Sequence, residues 1–211
     1  MPTWVRVHAR RLRFVVMTER ELLLTGIGGQ GVQLAAQVLA RAAALEGRNV
    51  MLFGLYSGVM RGGNSDATVV VADGAVQAPP IVSHAWSAIV LHPRYWEPVR
   101  ARLVPGAVVV LNSSLFEEPV DNEQWRVFDV AATEVATEQL DNPMAVSMVA
   151  TGAYIALTGL VELDSAVTAM EESLPSYRRQ HAEGNARALR VGADLLEPLA
   201  APAWTTVAAP A

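Results

Sequence analysis

The apolar positions come first as short runs between glycine-rich loops, and later at helical spacing. Glu21 to Thr25 predicts a buried strand. After Gly26 to Gly31 comes VQLAAQVLARAAALEG. There Ala35, Val38, Leu39 and Ala42 recur on one helical face, and Gly47 offers a C-cap. Asn49 to Phe53 reads as a second strand. The order strand, glycine loop, helix, strand is the opening unit of a doubly wound sheet. Leu55 to Ser65 is a Gly- and Ser-rich loop. Ala67 to Ala72 predicts a strand, and Asp73-Gly74 predicts a turn into a hairpin partner that Pro79-Pro80 would stop. Ser87 to Leu91 and Ala107 to Leu111 predict two more buried strands, with a short helix, Tyr95 to Leu103, between them. Trp125 to Val130 is a sixth strand. Beyond Asn142-Pro143 the spacing turns helical over Met144 to Leu160, Leu163 to Leu174 and Tyr177 to Leu196.

These elements predict an α/β, Rossmann-like fold: a mostly parallel sheet with helices on both faces and a C-terminal helical layer. The chain reads as a single domain over residues 17–196. The Pro- and Ala-rich residues 197–211 read as a loose tail. Residues 1–16 carry four arginines and no acid, and they lack the uninterrupted apolar core of a signal peptide. They read as an upstream start or a disordered arm, or else as a basic arm for an acidic partner or lipid.

Composition narrows the chemistry. The 211 residues are 52% hydrophobic and carry a net charge of −5. That balance argues against a general nucleic-acid binder. No apolar stretch approaches the roughly 18 residues that span a bilayer, and the expected location is the cytoplasm. There is no cysteine. This excludes disulfides, thiolate metal sites, a cysteine nucleophile and any iron–sulfur cluster held by this chain. All 16 basic residues are arginine. Without lysine there is no Schiff base and no Walker A loop.

Gly26, Gly28 and Gly31 satisfy G-x-G-x-x-G between a strand and a helix. Such a loop lets backbone amides and a helix N-terminus face a phosphate. A dinucleotide site also needs an acid at the end of the second strand, and NVMLFG followed by LYSG has none. The loop therefore serves another phosphate-bearing ligand, a partner's backbone, or tight helix–strand packing. A stand-alone NAD(P)-binding oxidoreductase and a ligand-free assembly module stay as alternatives.

The wording of two loops is more specific. Gly26-Ile27-Gly28-Gly29-Gln30-Gly31 is followed by Tyr56-Ser57-Gly58-Val59-Met60-Arg61-Gly62-Gly63-Asn64-Ser65. GxGGQG with a Tyr/Gly loop ending in RGG resembles the gamma-type subunit of the 2-oxoacid:acceptor (ferredoxin) oxidoreductases of pyruvate, 2-oxoglutarate, phenylglyoxylate and indolepyruvate type. Pro79, Pro105-Gly106, Asn112, MVATGAYIALTG and Glu183-Gly184-Asn185-Ala186 extend the likeness over roughly residues 20 to 195. Ser83-His84-Ala85-Trp86 departs from it, since many members carry an Asp there.

The resemblance implies a subunit that is inactive alone. Thiamine diphosphate, Mg and iron–sulfur clusters are then expected on partner subunits of a hetero-oligomer, with coenzyme A possible at the interface. The implied cofactor-facing residues are Gly26, Gly28, Gly29, Gln30, Gly31, Tyr56, Arg61, Gly62, Gly63 and Ser65, with no catalytic residue and no metal ligand.

Among single residues, Arg61 suits a phosphate or carboxylate, or an inter-subunit ion pair. Tyr56 lines a ligand channel or packs in the core. Gln30 and Ser65 donate to phosphate oxygens or cap local backbone. His8, His84, His92 and His181 lack metal spacing, and His92 follows a strand, where α/β sheets bind ligands. Arg178-Arg179 reads as a partner contact or a solvated face. Met144 and Met148 read as core.

Overall fold

A computed structural model of the chain describes residues 18–55, the backbone of Tyr56, and residues 62–120 and 123–204. Six strands form one sheet: β1 (Glu19–Ile27), β2 (Asn49–Tyr56), β3 (Asn64–Ala72), β4 (Ala85–Val90), β5 (Leu103–Asn112) and β6 (Arg126–Val130). Their order across the sheet is β2-β3-β1-β4-β5-β6. β1, β4, β5 and β6 pair in parallel, and β3 runs antiparallel to both β1 and β2. The sheet is thus mostly parallel in direction, with β3 alone reversed.

The helix α1 (Val32–Leu45) links β1 to β2 as expected, but β2 is not the neighbour of β1. Burial explains why. Ala67 and the run from Val69 to Ala72 are fully enclosed, the pattern of a strand covered on both faces. Leu52 and Leu55 on β2 are 40% and 55% exposed, as befits an edge. The more apolar β3 therefore takes the inner position. The hairpin expected after Asp73-Gly74 does not form, because β3 already pairs on both sides. Residues 75–78 form no strand.

Alternation along the strands separates two apolar layers. Leu22, Leu24, Val69, Ile89, Val108 and Val110 meet α1 and a helical layer made of α4 (Val146–Thr158), α5 (Leu163–Ser173) and α6 (Ala182–Ala193). Leu23, Val70, Val90 and Val109 face the other way, toward Trp96 and Val99 of a single short helix, α2 (Trp96–Arg100). A further segment, α3 (Ala132–Glu134), runs on into a π turn over Val135–Gln139 and was not legible in the sequence.

The helix α4 is the centre of the helical layer. Twelve of its thirteen residues are buried, which is why it is apolar on all sides. It lies so close to α6 that a Cβ on Gly152 would overlap the Leu189 carbonyl, and one on Gly192 would overlap the Val149 carbonyl. Tyr154 on α4 is fully buried, with its hydroxyl 2.9 Å from Ser87 Oγ of β4. Burial pushes its phenol well above the usual tyrosine range, the Ser87 hydrogen bond opposing in part.

Two sequence expectations need correction here. Tyr177 to Leu196 is not one helix but a 3₁₀ turn, Ser176–His181, followed by α6. Residues 197–204 are not loose. The amides of Leu199 and Ala203 donate to the carbonyls of Leu157 and Thr158. Trp204 Nε1 donates to the Leu160 carbonyl at 2.9 Å, and Arg20 Nε donates to the Ala203 carbonyl at 2.7 Å. The Arg48 guanidinium lies 3.8 Å from the centre of the Trp204 ring. Residues 205–211 and the N-terminal arm 1–16 lie outside the described residues.

Candidate functional site: the two-loop corner

The antiparallel β3 brings the two glycine loops together. Its first residues lie beside the last residues of both β1 and β2. Ser65 is opposite Gly26 on one side and Tyr56 on the other. The Gly28 amide donates to the Gly63 carbonyl at 2.8 Å, tying one loop to the end of the other. Motifs thirty residues apart in sequence thus share one corner of the sheet.

The first loop needs its glycines for shape. Gly29 and Gly31 have φ of 107° and 86°, a region that side chains rarely adopt. A Cβ on Gly31 would also overlap Ser147 Oγ, so Gly31 is what lets α4 approach the loop. A Cβ on Gly26 would stand 2.7 Å from Gln30 Oε1.

Gln30 turns inward. Its Oε1 accepts the Ile27 amide at 2.9 Å and its Nε2 donates to the Leu91 carbonyl at 3.2 Å. Asn112 Nδ2 donates to the same carbonyl at 3.1 Å and to Thr133 Oγ1 at 2.8 Å. Leu91 follows β4, so these side chains fill the crevice between the ends of β1 and β4. That crevice is where an open α/β sheet of this order holds a dinucleotide. The strand that would carry the ribose-binding acid is also displaced, since β3 lies between β1 and β2. Both facts argue against the nicotinamide reading.

On the other side of the loop lies a cavity of about 470 Å³ between the first turn of α1, α4 and the start of α6. Gly29, Gly31 and Ser65 line it from the loop corner, Ser147 and Met148 from α4, and Arg178, His181 and Asn185 from the 3₁₀ turn and the start of α6. No Asp or Glu lines it. Met144, expected in the core, instead sits at this rim with its side chain exposed, because it belongs to the 3₁₀ turn Pro143–Ala145 ahead of α4. Met148 is buried as expected.

The predicted residues Gly26, Gly28, Gly29, Gln30, Gly31, Gly62, Gly63 and Ser65 therefore gather at one corner, with the Tyr56 backbone beside them. Of these, Gly29, Gly31 and Ser65 reach the cavity, while the Gln30 carboxamide is engaged within the chain. Arg61 lies outside the described residues. Sequence reasoning missed Gln33, whose Nε2 donates to the Asp66 carbonyl at 2.8 Å and braces the corner from α1. The signal was Gly54, where a Cβ would overlap the Gln33 side chain. It also missed Ser147, and it read Arg178 as a partner contact or a solvated face and His181 as a histidine without metal spacing, placing neither beside the loop.

His92 stands apart from the cavity. Its Nδ1 accepts the Arg94 amide at 3.2 Å, and burial with the nearby Arg94 charge lowers its affinity for a proton. A larger cavity of about 1020 Å³ lies on the α2 face over Trp96, Phe116 and Trp125. Glu97, Glu117 and Glu118 line it, and it contains none of the predicted site residues. Among the described residues no cluster of three or more His, Asp or Glu could hold a metal, and no helix is long and apolar enough to cross a membrane.

Comparison with known proteins agrees with this geometry. Residues 21–195 match the family model described as pyruvate ferredoxin/flavodoxin oxidoreductase. The pyruvate synthase subunit PorC of Methanothermobacter thermautotrophicus is 31% identical over 85% of this chain and 97% of its own. The crystal structure of the gamma subunit of a keto/oxoacid ferredoxin oxidoreductase from Geobacter sulfurreducens aligns with a TM-score of 0.71 at 25% identity, over 83% of this chain and 95% of its own. A 2-oxoglutarate:ferredoxin oxidoreductase from Magnetococcus marinus, solved with 2-oxoglutarate, coenzyme A and succinyl-CoA bound, shares the fold. Its TM-score is 0.73 at 17% identity, over 88% of this chain and 33% of that one. With the two loops at one corner of a gamma-type sheet, the chain belongs to the pyruvate ferredoxin/flavodoxin oxidoreductase family.

Proposed function

We propose that this chain is the gamma subunit of a thiamine-diphosphate-dependent 2-oxoacid:acceptor oxidoreductase. In this reading it takes part in oxidative decarboxylation of a 2-oxoacid as one wall of a shared site. The observation that carries it is the register placing Ser65 between Gly26 and Tyr56, which joins both family loops at the edge of one cavity. The chain has no cysteine, so cluster chemistry falls to partner subunits, and in this reading thiamine chemistry falls to them as well. Coenzyme A, when bound, would supply the thiol that takes the acyl group.

The fit to coenzyme A rests on this chain's own residues. The cavity presents the first turn of α1, two buried polar side chains (Ser147 and Asn185) and no carboxylate. Gly29, Gly31 and Ser65 would approach the cofactor by backbone and hydroxyl, and Arg61 would add a guanidinium from the second loop. The dinucleotide alternative loses ground to the Gln30-filled crevice.

The test is co-expression with the neighbouring oxidoreductase subunits. Activity with thiamine diphosphate, coenzyme A and a low-potential acceptor is expected to require this chain. Activity that persists unchanged without it would overturn the proposal. Within the complex, Arg61→Ala is expected to raise the KM for coenzyme A. An unchanged value would remove Arg61 from the site.

A further inference from the structure

We infer that the cavity on the α2 face is the docking place of this chain's own N-terminal arm. Leu12 and Phe14 meet its aromatic side chains, and Arg11 and Arg13 meet its glutamates. The inference stands apart from the two-loop corner and does not depend on the oxidoreductase reading.

The fold leaves this place open. Parallel neighbours are joined by crossovers that usually lay a helix on the sheet. One face carries α1, α4, α5 and α6, but the other carries α2 alone, five residues long. Residues 113–125 lead from β5 to β6, and among the described residues they hold only the 3₁₀ turn Ser113–Leu115. Residues of α2 and of this connection line the cavity of about 1020 Å³. Trp96 and Trp125 meet edge to face there, with ring centres 5.7 Å apart. Phe116 and Trp125 stay half-buried while packing on the apolar layer. Aromatic side chains left half-covered in one groove mark a contact surface.

Charge identifies the occupant. Glu97, Glu117 and Glu118 line the cavity against Arg100 alone, and all three glutamates are exposed. Arg100 pairs with Glu97 at 2.9 Å. Glu117 and Glu118 have no ion pair among the described residues. Residues 1–16, outside the described residues, bring Arg6, Arg10, Arg11 and Arg13 and no acid. Basic and apolar residues alternate over Arg11-Leu12-Arg13-Phe14. An extended segment of that pattern turns its apolar and basic side chains to opposite sides. It complements a groove with half-buried aromatic rings and exposed carboxylates. The cavity beside the glycine loop presents Arg178 and no carboxylate, so it offers such a segment nothing.

The arm also starts from the right end of the sheet. Leu22 pairs with Ser87, and Ala85 with Leu103. The start of β1 and Leu103, which lines the cavity, therefore lie two strands apart at one end. Two strand spacings are about 10 Å, which about three extended residues cover. Val15 to Met17 suffice to bridge it. On the opposite face that end is already taken, because Arg20 holds Ala203 and lies against Trp86 and Trp204.

The test is limited trypsin digestion of the full-length chain, with cleavage after Arg10, Arg11 and Arg13 followed by mass spectrometry. The native protein is compared with Glu117→Gln/Glu118→Gln, with Phe116→Ser, and with Glu138→Gln/Glu171→Gln, an equal charge change at exposed sites elsewhere. All keep the native arm and add no trypsin site. Thermal melts establish that each folds, and the glutamine pair carries the test should Phe116→Ser not fold. Cleavage in the arm is expected to be at least fivefold faster in the two groove variants and unchanged in the control. Equal rates in all four proteins would overturn the docking. So would protection that falls away on dilution, which would seat the arm on a second copy, or protection that appears only with anionic vesicles.

Discussion

Gln30 donates its carboxamide N–H to the Leu91 carbonyl at 3.2 Å, across the ends of two parallel strands. The same side chain accepts the Ile27 amide, so a single residue both shapes the loop and closes the crevice beside it. Gln30→Ala leaves the Ile27 amide without its acceptor in a half-buried place. The expected cost is about 2 kcal/mol, the scale of an unsatisfied buried donor. Gln30→Glu keeps an acceptor for Ile27 but sets a carboxylate against the Leu91 carbonyl. It should be no better than alanine. Urea denaturation of the three proteins checks both statements, and a glutamate variant as stable as the native protein would show that Leu91 matters little.

The contact between α4 and α6 depends on Gly152 and Gly192. In each case an added methyl would overlap backbone of the other helix, which no rotamer change can relieve. Gly192→Ala is therefore expected to cost about 3 kcal/mol, at the upper end of overpacking. Gly47→Ala is a useful contrast. Its Cβ would meet open space, so only the positive φ of 80° opposes it, at about 1 kcal/mol. A melting-temperature loss for Gly192→Ala no greater than for Gly47→Ala would place the strain elsewhere.

Tyr154 gives a dependence on alkaline pH. Burial raises its phenol above the unfolded value of about 10. The unfolded chain therefore releases this proton first as pH rises. The contribution is fully present below about pH 10 and is lost progressively above it. Tyr154→Phe removes the hydroxyl and its Ser87 hydrogen bond. It should cost about 1 kcal/mol at neutral pH and flatten the decline above pH 10. Denaturation curves at several alkaline pH values measure the slope, and parallel slopes in both proteins would contradict the assignment.

The parts of the fold legible in the sequence were those set by local pattern. Strand β1, helix α1 and the buried run of β3 follow from periodicity and from turn residues. The position of β2 at the edge did not, because pairing order depends on which strand is more fully enclosed. That is a comparison of Val69 to Ala72 with Leu52 and Leu55 across the whole sheet. The tail was misread for a related reason. Pro and Ala over residues 197–204 suggest looseness, but Trp204 and Ala203 find partners in Arg20, Arg48 and Leu160, far away in sequence. At the site, the loop glycines were visible as a motif. Ser147 was not, since it looks like an ordinary helical residue until α4 is seen to flank the loop, and Asn185 was visible only within the Glu183-Gly184-Asn185-Ala186 likeness, with nothing to place it at the cavity.

The pairing of Trp204 with Arg20 and Arg48 carries its own prediction. The ring lies within 5.9 Å of Arg20 and 3.8 Å of Arg48, and its indole N–H is taken by Leu160. Trp204→Ala removes packing, cation–π attraction and a hydrogen bond together, at about 3 kcal/mol. Proteolysis should then cut after the 193–200 segment faster than in the native chain. Equal cleavage rates would mean that the Leu199 and Ala203 backbone bonds suffice to hold it.

Gly31 and Ser147 allow backbone strain to be separated from collision. Gly31→Ala meets two obstacles, a φ of 86° and an overlap with Ser147 Oγ. The first costs about 1 kcal/mol whatever its neighbour. The second vanishes only in part with Ser147→Ala, because Ser147 Cβ remains 3.2 Å from the new methyl. The double variant should therefore be more stable than the sum of the single effects, by about 1 kcal/mol of coupling. Strict additivity would mean that the loop yields instead of α4, leaving Ser147 in place on its helix.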